Sequence, residues 1–504
     1  MGLRRYHPIF FCYLPAATVI PLSIIFIKDL NLDGVYLFYQ FISSAIKPSL
    51  DLSLISNAFN SIQITIFFAI FSWIISIVVG VFLGIISSDI FFYVLNIPTY
   101  FKYILKFILS PIRSIHEVIW GLFLIQLFGL NPLISIIAIA VPYSAIIARI
   151  TSDQINNIEK NTIIALSNMS KNSFAALITI IFPEIKKVIS TYGRYRFECS
   201  IRSATTLGIF GLGGIGNEIF LSLQALKFNN LWTYLWLMLL IILLQRRIID
   251  FILINKRLIS KKILLYLFIP SLYLWINSLN IDFKLNISLD SYLFNNLNLN
   301  NINFESSNIL RSIKETILLA LLAGGFAISM PPLILLIFQN KLSRNLIYFI
   351  WEILRLLPTP LTTLILVICN QPTIALAAIS LGLNNIGILG QLLKSNLDQR
   401  NNNNFYAIYN LSKSKRISWL YSKMLPEATR YLAYSAYRTD VIIRETIVVG
   451  LIGSVGIGWQ LQESLTSFAW NEVFILIIIY SSITLTGELI NEKIQSHWIS
   501  YTDK

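Results

Sequence analysis

Charge is scarce in this sequence. Only 13% of its 504 residues are Asp, Glu, Lys or Arg, against roughly a quarter in a soluble globular chain. Cysteine and histidine are scarcer still, with three of each. Cys12, Cys199 and Cys369 lie far apart in apolar stretches, which excludes a disulfide framework and any Cys/His metal spacing. They read as small buried hydrophobes. No G-x-x-x-x-G-K-[ST] run occurs, so no phosphate-cradling loop is present. Nothing assembles a nucleophile with a base or a metal, so no catalytic residue, metal ligand or cofactor site is expected in this chain.

Apolar residues fill the space. They make up 56% of the chain, and the mean hydropathy is +0.69. Apolar runs of about 20 residues recur, long enough to cross a bilayer as helices. They are continuous rather than alternating, which rules out a barrel, and a backbone in lipid must satisfy its own hydrogen bonds. The fold class expected is an all-α polytopic membrane protein of about twelve spans. The N-terminal run contains Pro15 and Pro21 and lacks a small-residue cleavage site, so it reads as a retained first span rather than a signal peptide. The third span is placed at about 104–128, the fifth at about 188–216, the seventh at about 263–279, the eighth at about 309–338 and the ninth at about 346–369. Pro331 and Pro332 should kink or end the eighth.

The net charge of +14 follows from the membrane rather than from a nucleic-acid partner. With the N-terminus inside, the outer loops hold only Lys28, Lys47, Lys227, Lys284, Arg311 and Lys314. All other Lys and Arg fall to the inside or to spans, so the positive-inside rule puts both termini in the cytoplasm.

A long internal repeat organises the chain. RSATTLGIFGLGGIGNEI from Arg202 returns as RETIVVGLIGSVGIGWQL from Arg444. At one constant offset Gly208, Gly211, Gly214 and Gly216 meet Gly450, Gly453, Gly456 and Gly458, while Gly213 meets Val455. Upstream, Arg196 and Glu198 meet Arg438 and Asp440, and RSIHEVIW from Arg113 meets RLLPTPLT from Arg355. Further upstream SIQITIFFAIF from Ser61 lies opposite SIKETILLALL from Ser312. The copies run in the same order and the same orientation. Domains follow: 1–55, an N-terminal span and outer loop; 56–256, the first repeat; 257–307, a linking span and Asn-rich outer loop; 308–504, the second repeat.

GLGGIG literally fits a dinucleotide fingerprint, but no strand precedes it. Close helix packing or a helix break explains the glycines. The intramembrane charges are the sharpest signal, since a charge in the bilayer core costs about 2.5–3.5 kcal/mol on insertion scales. Glu198–Arg202 and Asp440–Arg444 have the i,i+4 spacing that stacks acid and base on one helix face. Two readings stand: ion pairs that lock helices together, or an anion path that also uses Arg113, Glu117, Arg196, Arg355 and Arg438. His116, beside Glu117, is a packed loop-edge histidine or a proton relay.

The polar segments carry a resemblance. IALSNMSKNSFAALITIIFP, Ile164 to Pro183, has the spacing of the cytoplasmic EAA loop of ATP-binding-cassette importer permeases, with Ala165, Ile180 and Pro183 in place and Ser170 where the family has glycine. AIYNLSKSKRISWLYSKMLP keeps Leu425 and Pro426, with Ala407 at the glutamate position and Lys413 at the glycine. With RSIHEVIW and YRFECSIRSATTLGIFGLGGIG, the chain resembles a phosphonate/phosphite/phosphate-type permease with two copies fused. That resemblance implies import of a small phosphorus oxyanion across a bacterial inner membrane, a periplasmic substrate-binding protein, and a cytoplasmic ATPase dimer that binds the ATP and docks on both loops. A secondary transporter of about twelve spans remains the rival reading; it would need intramembrane acids free of their arginines.

Overall fold

The computed structural model describes residues 8–28, 32–95, 98, 100–158, 173–254, 306–368, 370–398 and 403–502. The expected seventh span, the Asn-rich loop, Cys369, Ala165 and Ser170 lie outside them. Helices dominate, and no strand occurs among the described residues. Seven helices are long and apolar enough to cross a membrane, or up to eleven if each bent helix pair is one span. This is an all-α, multi-pass membrane protein.

The chain divides into two compact units. The first is Ser43–Ser291; the second joins Met1–Ile42 to Tyr292–Lys504. Within the first, Leu52–Ile86 lies against Pro132–Asn156. Small residues permit the approach: a Cβ on Gly80 would sit 2.7 Å from Ile147 Cβ, and one on Gly84 2.6 Å from Thr151 Cβ. In the second, Ile374–Asp398 packs against Ser306–Ile337 and Lys341–Leu356, and Gly387 lets the backbone of Trp351 and Arg355 come close. The N-terminal helices belong to this unit too. Cys12 is fully buried there, Phe11 packs on Trp498, and Asn370 Nδ2 donates to the Phe26 carbonyl at 2.9 Å.

The two units repeat each other internally. The offset that superposes Arg202 on Arg444 also superposes Pro132–Asn156 on Ile374–Asp398 and the first residue of Phe228–Ile254 on that of Trp470–Thr502. It places the end of Tyr100–Ser114 on the end of Lys341–Leu356.

Two of the expected spans are not straight. The third divides into Tyr100–Ser114 and Glu117–Phe128, bent by 89°, and the ninth into Lys341–Leu356 and Thr359–Val367, bent by 101°. Both breaks have a local cause. His116 is extended (ψ 146°), and its Nδ1 accepts the Val118 N–H at 3.3 Å as an N-cap. Leu357 precedes Pro358 and is driven to the extended region, ψ 128°. Of the two outcomes expected at Pro331 and Pro332, a kink or an end, the helix does not end: Ser306–Ile337 runs through both. Pro332 has no N–H for the Ile328 carbonyl, and the Tyr431 hydroxyl donates to that carbonyl at 2.7 Å instead.

Glycine substitutions test the packing of the breaks. A Cβ on Gly216 would run into the Thr205 carbonyl oxygen, and one on Gly458 into that of Ile447. Gly216→Ala and Gly458→Ala should each lose about 1–3 kcal/mol, read as a lower thermal midpoint of the detergent-solubilised chain. Gly324→Ala, whose Cβ would meet only Thr439 Cγ2 at 3.7 Å inside a helix, should be neutral or stabilising by up to about 1 kcal/mol.

Candidate functional site

The candidate residues collect on one long helix in each unit and on the helices packed against it. In the first unit, Ser173–Leu207 carries Arg196, Glu198 and Arg202. Arg196 and Glu198 are buried and Arg202 is half-buried. Arg202 Nη2 lies 4.0 Å from Glu198 Oε1 and donates to Cys199 Sγ at 3.5 Å. The i,i+4 pairing is therefore present but loose. The Arg196 guanidinium stacks over the Tyr143 ring at 4.7 Å, and its Nε donates to the Tyr192 hydroxyl at 2.6 Å. Ser203 Oγ donates to Glu117 Oε1 at 2.5 Å. With that proton committed, the Tyr143 hydroxyl, 2.7 Å from Ser203 Oγ, is the donor between them. Arg196, Tyr143, Ser203 and Glu117 thus form one connected network.

In the second unit, Leu425–Gly453 carries Arg438, Asp440 and Arg444. Asp440 and Arg444 make a close ion pair. The Tyr480 hydroxyl donates to the Arg444 carbonyl at 2.8 Å. Arg438 Nε donates to Asn385 Oδ1 at 2.5 Å, and its Nη2 to Glu445 Oε1 at 3.3 Å. Asn385 Nδ2 reaches Glu445 Oε2 at 3.4 Å.

Three positions of the first network recur in the second, and the fourth, Glu117, has Thr359 as its counterpart. Arg196, Tyr143, Ser203 and Glu117 correspond to Arg438, Asn385, Glu445 and Thr359. The arginine is kept, and each unit keeps one acid, but the acid has crossed from Glu117, which opens a helix, to Glu445 on the long helix. Tyr143, Ser203, Asn385 and Glu445 escaped sequence reading. The exchange is visible in the aligned copies, yet only the fold shows that 117 and 203 face each other. Arg113 and Arg355 end the helices Tyr100–Ser114 and Lys341–Leu356, half-buried in the last turn. His116 serves as the N-cap already described, 3.4 Å from Glu117 Oε2.

The glycine motif is a helix break in both units. Gly208 and Gly450 let the returning chain touch the helix, a Cβ on either falling 2.5 Å from the carbonyl oxygen of Gly213 or Val455. The next helix starts at Ile215 or Gly456 after a bend of 54° or 57°. Its first turn is capped from another helix: Ile215 N–H donates to Thr65 Oγ1 at 2.9 Å, and Ile457 N–H to Thr316 Oγ1 at 3.0 Å. Each threonine in turn donates to the carbonyl four residues back, Ser61 or Ser312. The routes differ inside the break. Gly211, Gly213 and Gly214 take φ of 94°, 89° and 80°; with Val455 in place of Gly213, the second copy is left-handed at Ser454 and Gly456 instead. Gly453 does not take positive φ and sits 3.4 Å from Ala377 Cβ by the same construction.

Of the coupling-loop residues, Ile180 and Pro183 lie on Ser173–Leu207, Pro183 exposed. Ala407 is exposed on Asn403–Ser412. Lys413, where the resembled loop has glycine, takes φ 51° and closes that helix by donating to the Tyr409 carbonyl at 2.8 Å. Leu425 and Pro426 open the long helix. Among the described residues no group of three His, Cys, Asp or Glu could hold a metal.

Two predictions follow from these networks. Arg444→Ala should lose about 3–5 kcal/mol by stranding Asp440, and Asp440→Ala in the same chain should recover most of it; thermal unfolding of the solubilised protein reads both. Glu117→Ser should lower the yield of monodisperse protein, and adding Ser203→Glu should raise it again, because the second unit holds its acid at that position. A double variant no better than Glu117→Ser would show that the two arrangements are not interchangeable.

Residues 80–255 match the family described as binding-protein-dependent transport system inner membrane component. A phosphate-import permease protein of Mycolicibacterium smegmatis is 25% identical over 118 residues, covering 23% of this chain and 22% of that protein. A putative phosphite transport system permease protein of Stutzerimonas stutzeri is 25% identical over 127 residues, covering 25% of this chain and 49% of its own length. A putative cryptic phosphonate transport system permease protein of Escherichia coli is 23% identical over 94 residues, covering 19% of this chain and 77% of its own. The chain thus spans between 22% and 49% of the length of the first two. No solved structure matches it. The matched segment contains the first arginine–acid network, from Glu117 to Ser203, and the first glycine break, so it is residues 80–255 of this chain that resemble the binding-protein-dependent inner membrane components and the permeases named above.

Proposed function

We propose that the chain is the permease component of an ATP-driven, binding-protein-dependent importer that carries a small phosphorus oxyanion (phosphonate, phosphite or phosphate) across a bacterial inner membrane. The observation that carries this reading is the family match over residues 80–255, whose main elements recur in the second unit in the same order. The repeats 56–256 and 308–504 act as the two permease halves, joined in one polypeptide. The chain performs no chemistry; ATP is bound and hydrolysed by a partner ATPase dimer, which docks on the loop ending at Pro183 and on Ala407–Pro426. A periplasmic protein delivers the anion, and both termini lie in the cytoplasm. Buried arginines in each unit supply positive charge where an anion would otherwise meet only lipid-like surroundings.

Uptake tests this directly. Co-expressed with an ATPase and a binding protein from its own gene neighbourhood, the chain should support uptake of at least one labelled phosphorus oxyanion. Uptake should persist when a protonophore collapses the proton gradient with ATP maintained, and stop when ATP is depleted. The reverse pattern would establish the secondary transporter instead. Arg196→Ala should cut the uptake rate per copy of the chain, normalised to its membrane level, by about tenfold or more, the loss of one charge-assisted contact. Native mass spectrometry of the complex should give one copy of this chain with two ATPase subunits.

A further inference from the structure

A basic cluster in the second unit has no part in the arginine–acid networks, though one of its members, Lys423, lies in the segment Ala407–Pro426 proposed above to dock the ATPase. Arg344 lies in the first turn of Lys341–Leu356, Lys394 in the last turns of Ile374–Asp398, and Lys423 in the turn Leu420–Met424. All three are half-buried. Arg344 is held rigidly: its Nη2 donates to Gln339 Oε1 at 2.5 Å, its Nε to the Phe338 carbonyl at 3.2 Å, and its guanidinium lies 5.8 Å from the centre of the Trp419 ring. Lys394 Nζ sits 4.8 Å over the Tyr348 ring, which neighbours both Arg344 and Asp398. Lys423 is within electrostatic reach of Arg344 and of the exposed Asp398, and among the described residues it has no hydrogen bond or ion pair. The acid beside Lys423, Asp398, is exposed, and no ion pair neutralises any of the three cations among the described residues.

The first unit shows that the fold does not require this. Lys102, in register with Arg344, is neutralised by Asp89 at 2.7 Å. Ser152 stands opposite Lys394, and isoleucine, Ile180 or Ile181, opposite Lys423. The connection that carries Asp89 is shortened in the second unit to Phe338, Gln339 and Asn340, with no acid. One acid has gone and two lysines have arrived at a place where three membrane helices end.

The geometry points to a binding site for the phosphate of an anionic phospholipid headgroup, formed by Arg344, Lys394 and Lys423. Guanidinium and ammonium groups supply the charge-assisted donors that a phosphodiester takes. Basic pockets between spans are where such headgroups lodge. The neighbouring surface decides for lipid over an acidic protein segment. Leu342, Leu346 and Phe349, at i, i+4 and i+7 beside Arg344, are 86%, 60% and 58% exposed, with Phe338 next to them at 47%. That stripe fits acyl chains running down from a bound headgroup, whereas an acidic loop would leave it bare.

Native mass spectrometry of the detergent-extracted full chain, titrated with dioleoyl phosphatidylglycerol or dioleoyl phosphatidylcholine, tests the site. Phosphatidylglycerol should bind more tightly, and Arg344→Gln with Lys423→Gln should weaken it by about tenfold or more, as two surface charges near lipid would, leaving phosphatidylcholine unaffected. Lys423→Gln alone should weaken it by roughly fivefold, which keeps the test open if the double variant misfolds. Lys415→Gln with Arg416→Gln removes the same charge from exposed positions of the proposed docking segment and should leave phosphatidylglycerol binding unchanged. Equal loss in that control, or no loss in the cluster variants, would overturn the assignment. So would displacement of the lipid by millimolar inorganic phosphate, which would mark a free-phosphate site. Loss of ATPase capture with phosphatidylglycerol retained would mark a protein contact and overturn it likewise.

Discussion

A backbone surrounded by lipid cannot leave its hydrogen-bonding groups to water, and side chains take up backbone groups that the departures from a straight helix leave open. Tyr431 takes the carbonyl that Pro332 cannot serve. Thr65 takes the Ile215 N–H and Thr316 the Ile457 N–H, in the first turns of the helices that follow the glycine breaks. His116 caps the helix that starts at the 89° bend. In the second unit Glu315 adds an acceptor for Gly456 N–H at 3.1 Å. The glycine breaks and the Pro332 gap are thus served by partners distant in sequence, while the 89° bend is capped locally by His116.

The same constraint governs charge. An arginine inside the membrane needs a counter-charge or a dense shell of polar and aromatic groups. The two units meet that need with different residues at the same positions. Tyr143 and Asn385 both face the repeated arginine, one through its ring and one through its amide oxygen. The acid stands at 117 in one unit and at 445 in the other. Electrostatics sets the number of charges in the network, and the contact between two helices leaves open which helix supplies the acid. Duplication followed by such exchanges gives halves that are alike in backbone and unequal in surface. The basic cluster at Arg344, Lys394 and Lys423, against the neutralised Lys102–Asp89 pair, is the plainest instance.

Much of this was legible in the sequence. Apolar runs gave the helical membrane class, because length and hydropathy are local properties. The repeat gave the equivalence of Arg202 with Arg444 and of Ser61 with Ser312, and the pairing of Thr65 with Thr316 follows from the latter. The glycine stretch reads as a break because few other residues tolerate φ near 90°. The i,i+4 acid–arginine pairs follow from helix geometry alone.

The tertiary structure decided the rest, for reasons that are not local. Hydropathy averages over a window and cannot see a right-angle bend between two apolar helices, so residues 104–128 and 346–369 read as single spans. Pro331 and Pro332 are helix breakers by their own chemistry, and the carbonyl that Pro332 leaves open is served by a hydroxyl on Tyr431, about a hundred residues away. That Glu117 meets Ser203, that Asn385 bridges Arg438 to Glu445, and that Pro8–Lys28 packs with the second unit all depend on which helix faces bury each other. Sequence determined which segments become helices, which residues repeat and which charges pair along one helix at i,i+4; packing determined which polar groups meet between helices.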